Sequence, residues 1–209
     1  MINALPAAAA TDPYRPATTG FDVSYPNCGA TATGAFGIVG VNHGRPFTAN
    51  GCLGAEYSAA PQAPAPSLYI NTAYTGAYRR NITAACSTGT NAAWEIGCSE
   101  ADYALQQAGG RVASMWWLDV ETGNSWSTSN LAQNRDAIQG AVDRLNQTGL
   151  PVGVYSTASM WKTITGGSFT PNGLAADWVA AGSCSTPFTS SPVWLSQSTS
   201  GGLDRDTAC

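Results

Sequence analysis

The chain has 209 residues with a formal net charge of −4, and only 11% of them are charged. That length is one domain's worth, and the composition excludes a coiled coil and a charge-driven disordered chain. The nine basic residues form no stripe, which excludes nucleic acid as a partner. No run reaches the ~18 apolar residues of a membrane span. A monomer is expected.

Met1 to Ala10 ends in small residues, like the cleavage region of an export leader, but lacks a charged n-region. Residues 1–16 are therefore read as a leader remnant or disordered segment, and 17–209 as a single domain. Strand-like runs follow at 20–24, 36–42, 67–71, 112–120, 151–156, 177–180 and 192–197. The clearest helical pattern spans 128–147, where Leu131, Ile138, Val142 and Leu145 keep near-helical spacing and Gly149 with Pro151 supplies the stop. A second helix is predicted over 99–107, with Ser99 as its cap and Glu100 and Asp102 in the first turn. Strands alternating with helices imply a parallel sheet. Seven or eight strands with few helices predict an α/β fold, a compact irregular TIM-like barrel in which some helices are short or missing.

Six cysteines, Cys28, Cys52, Cys86, Cys98, Cys184 and Cys209, are an even number with no C-x-x-C spacing. With one histidine in the chain, no metal site and no cofactor is expected. Three disulfides in a secreted or wall-associated protein fit better, and sequential pairing (28–52, 86–98, 184–209) is the expectation. Each would contribute about 3 kcal/mol in the chain-entropy model.

The chemistry concentrates at Trp116-Trp117-Leu118-Asp119-Val120-Glu121. An apolar strand ends in two carboxylates separated by one valine. Side chains alternate along a strand, so both acids share a face roughly 6 to 7 Å apart at the ~3.3 Å rise per residue. Burial beside a second carboxylate raises a pKa, as a general acid requires. The alternative is a pair of acids in a polar loop. Asp22 in the first strand and Asp204 after the last complete a candidate set, because C-terminal strand ends converge on one barrel face. Trp126, Tyr155, Trp161 and Trp194 are candidate sugar-stacking residues, although core is the commoner role of any one aromatic. His43 and Asn71, at the ends of the second and third strands, are further substrate-binding candidates.

These segments together resemble the family 25 glycoside hydrolases, the bacterial and fungal muramidases. Gly20-Phe21-Asp22-Val23-Ser24 resembles their opening strand and Asp119-Val120-Glu121 their D-x-E. Pro151-Val152-Gly153-Val154-Tyr155-Ser156 is similar to a later strand, followed by a helix with Trp161. Val193-Trp194 through Asp204 resembles the final strand with its aspartate. The resemblance runs in order over about residues 20 to 209. It implies a barrel that cleaves peptidoglycan, with Glu121 as general acid and Asp119 assisting, orienting the substrate's acetamido group as an internal nucleophile. Asp22 and Asp204 would tune the pair and hold the sugar. The third strand (Leu68 to Tyr74) lacks the usual aromatic-His-aromatic segment, and Asn42-His43-Gly44-Arg45 replaces an acid-containing turn. The disulfides are also atypical, and in these departures the chain resembles a divergent branch of exported actinobacterial proteins. Family 18 chitinases would need acids where Met115 and Trp117 stand. The expected function is an exported glycoside hydrolase acting on a cell-wall polysaccharide, peptidoglycan first. The alternatives are a glycosidase for another wall polysaccharide and a catalytically silent glycan-binding barrel.

Overall fold

The computed structural model describes residues 10–30, 33–200 and 203–209. Among them, eight strands close into a barrel in chain order: β1 (Thr19–Val23), β2 (Gly37–Gly40), β3 (Ser67–Asn71), β4 (Trp116–Asp119), β5 (Val152–Ser156), β6 (Ala176–Ala180), β7 (Val193–Ser200) and β8 (Leu203–Ala208). β1 to β7 pair in parallel, and β8 runs antiparallel between β7 and β1. Four helices cover the barrel: α1 (Leu53–Ala59), α2 (Ala92–Ala108), α3 (Leu131–Asn146) and α4 (Ala158–Thr165). The expected irregular α/β barrel is the fold. Among the described residues, no helix is long and apolar enough to cross a membrane.

The parallel strands are buried on both faces, which is why β4 reads as an unbroken apolar run. Trp117 points into the barrel with Ile38, Tyr69, Trp178 and Leu195, whereas Trp116, Leu118 and Val120 pack outward against the helix layer. Gly153 on the neighbouring strand makes room for Trp117, since a Cβ there would lie 2.0 Å from its ring. The closest helix contact is between α2 and α3. Cβ atoms at Gly97 and Gly140 would stand 1.7 Å from the Ala137 carbonyl oxygen and 2.1 Å from that of Trp94. Glycine at both positions lets the two backbones touch, and an Arg144–Asp102 ion pair of 2.6 Å closes the end of the contact.

Several expectations are corrected. β4 begins at Trp116 rather than 112, because Val112 is 69% exposed ahead of the strand. α2 begins at Ala92, capped by Asn91, whose side chain accepts from the Ala93 and Trp94 amides at 3.0 Å. Ser99 is therefore no cap. It is buried mid-helix, with its hydroxyl donating to the Glu95 carbonyl at 2.7 Å. The last strand does not end at Gln197, since β7 continues to Ser200 and β8 follows. Tyr14 lies within the stretch set aside as 1–16, yet it is buried under the barrel. Its hydroxyl lies 2.5 Å from that of Ser67 and accepts from the Trp117 indole at 2.9 Å. Residues 1–9 of that stretch lie outside the described residues. The disulfides join Cys28–Cys52, Cys86–Cys98 and Cys184–Cys209, the sequential pairing expected.

Candidate active site

Parallel strands deliver their C-terminal ends to one mouth. Asp22 arrives on β1, Asn71 on β3, Asp119 on β4 with Glu121 two residues beyond, Tyr155 on β5 and Trp178 on β6. Because β8 is antiparallel, its beginning lies at the same mouth. Asp204 stands opposite Asp22, and Asp206 sits one inward step deeper, opposite Gly20. Asp22, Asn71, Asp119, Glu121, Tyr155 and Asp204 together line a cavity of about 410 Å³.

Two carboxyl pairs organise it. Asp119 and Glu121 are near enough that each shifts the other's titration. Burial, then the neighbouring charges of Glu121 and Asp22, hold the Asp119 carboxyl well above its ordinary range. Glu121, less buried, is raised by partial burial and by Asp204, and Asp119 pulls it back. Of the two acids, Asp119 is the more strongly raised and Glu121 the more accessible. Among the described residues, the buried Asp119 Oδ1 finds no N–H or O–H donor, which agrees with a carboxyl held above its ordinary range. The Asn71 amide donates to the other oxygen, Oδ2. Asn71 is itself held by Asn42, whose amide donates to the Asn71 carbonyl at 2.9 Å and whose Oδ1 accepts from its N–H.

The second pair is Asp22 with Asp206, which is fully buried. Asp206 Oδ1 accepts from the Trp178 indole at 2.8 Å, while Oδ2 finds no N–H or O–H donor and faces Asp22. Burial, then the Asp22 charge, raises Asp206 well above the ordinary range. Asp22 is pushed up to about 7, first by burial, with Gln197 opposing and Asp204 adding to the rise. The Gln197 amide donates to Asp22 at 2.8 Å and its oxygen accepts from the Tyr155 hydroxyl at 2.7 Å. Burial and four surrounding carboxylates keep that hydroxyl protonated.

The remaining candidates separate. Trp161 is fully buried in α4, with its indole donating to the Phe169 carbonyl at 3.0 Å, so it is core. Trp194 faces the opposite end of the barrel, beside Ser114 and Pro151. It is the extra residue of a β-bulge, since Asp177 pairs with Val193 and Trp178 with Leu195. Both are corrected as cleft residues. His43 is exposed at the rim, its ring 3.7 Å from that of Tyr25, which lines the cavity. Trp126 donates its indole N–H to the Glu121 carbonyl at 2.8 Å and lines an adjoining groove rather than the acidic cavity. Sequence reasoning did not single out Gln197, Trp178 and Asp206. The period-2 pattern of Asp204, Asp206 and Ala208 on β8 was the available signal for Asp206.

A closed barrel with paired carboxyls at its mouth defines the class of protein, a glycoside hydrolase on the muramidase-type scaffold. The chain belongs to the family described as Lysozyme-like protein 1, whose model matches residues 70–183. No curated protein matches it. Among solved structures it is similar to a bacterial lysozyme from Streptomyces coelicolor, at 20% identity and a TM-score of 0.61 over 97% of this chain and 93% of that one. It is also similar to a family GH25 lysozyme from Aspergillus fumigatus, at 18% identity and a TM-score of 0.62 over 92% and 94%. A muramidase from Trichobolus zukalii gives 18% and 0.60 over the same shares. At these identities the likeness establishes the fold.

Proposed function

We propose that this chain is an exported hydrolase that cleaves the glycan of peptidoglycan on the reducing side of an N-acetylated sugar. The observation that carries the reading is the convergence of Asp119 and Glu121 with Asp22 and Asp204 on one cavity at the barrel mouth. Glu121, the more accessible acid, gives its proton to the leaving glycosidic oxygen. Both acids come from the end of one strand, so neither stands across the sugar from the other, as an inverting base or a carboxylate nucleophile must. That favours the substrate's own acetamido oxygen as nucleophile. Asp119, anchored by Asn71, orients the acetamido N–H with its free oxygen. The bond from the anomeric carbon to the leaving oxygen breaks as the bond to the acetamido oxygen forms. Water then opens that ring, returning a proton to Glu121 and retaining the anomeric configuration. Asp22 and Asp204 hold sugar hydroxyls, and Tyr155 and Gln197 fix Asp22. The three disulfides support action in an oxidising compartment outside the cytoplasm. A different wall polysaccharide is the second reading, favoured by the basic Asn42-His43-Gly44-Arg45 turn at the rim.

The test is release of new reducing ends from purified sacculi, with proton NMR of the first product formed. The wild-type protein is expected to release them with retained configuration. Glu121→Gln should lower the rate at least ~10²-fold, the usual contribution of a positioned general acid. Equal rates in the two proteins would remove Glu121 from the mechanism. An inverted product would remove the acetamido route while leaving a glycosidase.

A further inference from the structure

A second, larger groove of about 1050 Å³ adjoins the acidic cavity, and Asn124 lines both. Its walls come from the loops after β3 and β4 and from the start of α3, with Tyr74, Trp126 and Leu131 giving apolar surface and Thr128 and Gln133 neutral polar groups. Arg79 also lines it, and this arginine is exposed and forms no ion pair among the described residues. The Trp126 indole reaches back to the Glu121 carbonyl at 2.8 Å, so the groove wall is joined directly to the backbone carrying Glu121. The two compartments are opposite in character. The cavity gathers Asp22, Asp119, Glu121 and Asp204 and repels a carboxylate, while the groove is lined by an exposed arginine together with Tyr74 and Trp126. It is also far larger than one sugar ring requires.

From this continuity and charge complementarity we infer that the groove is a binding site for an acidic peptide arm carried by the glycan, with Arg79 receiving its carboxylate. The inference rests on the hydrolase reading given above and extends it from the scissile bond to the substituent beside it. A guanidinium binds carboxylate through two parallel N–H donors, and Tyr74, Trp126 and Leu131 cover the aliphatic part of the arm. A peptide-bearing glycan then seats its sugar in the acidic cavity and its arm in the groove. The site thereby distinguishes substituted from bare strands.

The experiment measures dissociation constants in the Glu121→Gln background, so that no turnover occurs. The probes are a disaccharide–tripeptide muropeptide, the same disaccharide freed of peptide, and the tripeptide alone. Adding Arg79→Ala should weaken the muropeptide about tenfold, the loss expected for one charge-assisted contact, and change the bare disaccharide less than about twofold. Arg79→Lys should recover part of the loss. Circular dichroism confirms that each variant is folded. An equal Arg79 effect on both sugar probes, or none on either, overturns the groove assignment and leaves the hydrolase reading standing. Failure of both sugar probes to bind, with no reducing ends released by the wild-type protein, overturns the two together.

Discussion

Replacing Asp206 with asparagine tests whether the barrel mouth is built on retained protons. Asp206 presents one oxygen to the Trp178 indole and the other to Asp22. Asparagine keeps the acceptor for Trp178 and puts a permanent N–H donor toward Asp22. In the wild-type protein Asp22 titrates near 7, raised by burial above the ordinary 3.8. A carboxyl whose pKa is raised by folding contributes stability that is fully present below the unfolded value. That stability is lost as pH rises through the folded value. The wild-type protein should therefore lose stability between pH ~4 and ~7 from this group and lose more above it, as Asp206 is driven to ionise. In Asp206→Asn the Asp22 carboxylate has a neutral donor in place of a second acid. One hydrogen bond to a charged group is worth about 2 kcal/mol, and a domain of this size gains ~2–4 °C per kcal/mol. The variant should melt about 4–8 °C higher than the wild-type protein at pH 8 and nearly level with it at pH 4. Thermal unfolding followed by circular dichroism across that range reads the difference. Parallel curves for the two proteins, or a variant that is less stable at pH 8, would refute the shared-proton arrangement.

Two further outcomes follow from the packing. Gly140→Ala drives a methyl group into the Trp94 carbonyl oxygen, a backbone atom that cannot rotate away. It should cost about 2 kcal/mol, seen as a lower melting temperature with activity per folded molecule preserved; an unchanged melting temperature would refute the close contact of α2 and α3. Removing the Cys184–Cys209 bridge, whose partners are 25 residues apart, with a double serine substitution should lower stability by about 3.5 kcal/mol in the chain-entropy model. Denaturant unfolding measures that loss, and a loss below ~1 kcal/mol would contradict the entropic account.

The parts of this molecule legible in its sequence are those where one physical signal dominates. β4 and β5 are buried on both faces and read as apolar runs. α3 exposes one face, and its spacing is clear. β8 escapes a sequence reading because its inward positions are carboxylates, Asp204 lining the polar cavity and Asp206 buried beneath it, so the usual inside-apolar pattern is inverted there. α2 was started seven residues late because Ser99-Glu100 imitates a cap. Glu100 is instead buried, accepting from the Thr72 hydroxyl at 2.5 Å, a tertiary contact that no local pattern displays. Trp161 and Trp194 illustrate the converse. Aromatic content suits a sugar cleft, but only packing and the β-bulge decide which rings reach it. Asp22, Asp119, Glu121 and Asp204 were findable because each sits at a strand end. Gln197 was not, since its significance depends on a partner 175 residues away.

That separation means no single segment of the chain contains the mouth. Asp119 and Glu121 belong to the middle of the sequence, Asp22 to its first strand and Asp204 and Asp206 to its last. The carboxyls are crowded only when β8 slots between β1 and β7 and completes the ring. β8 is thus the piece whose docking assembles the mouth, and the Cys184–Cys209 bridge at its end holds that keystone in place.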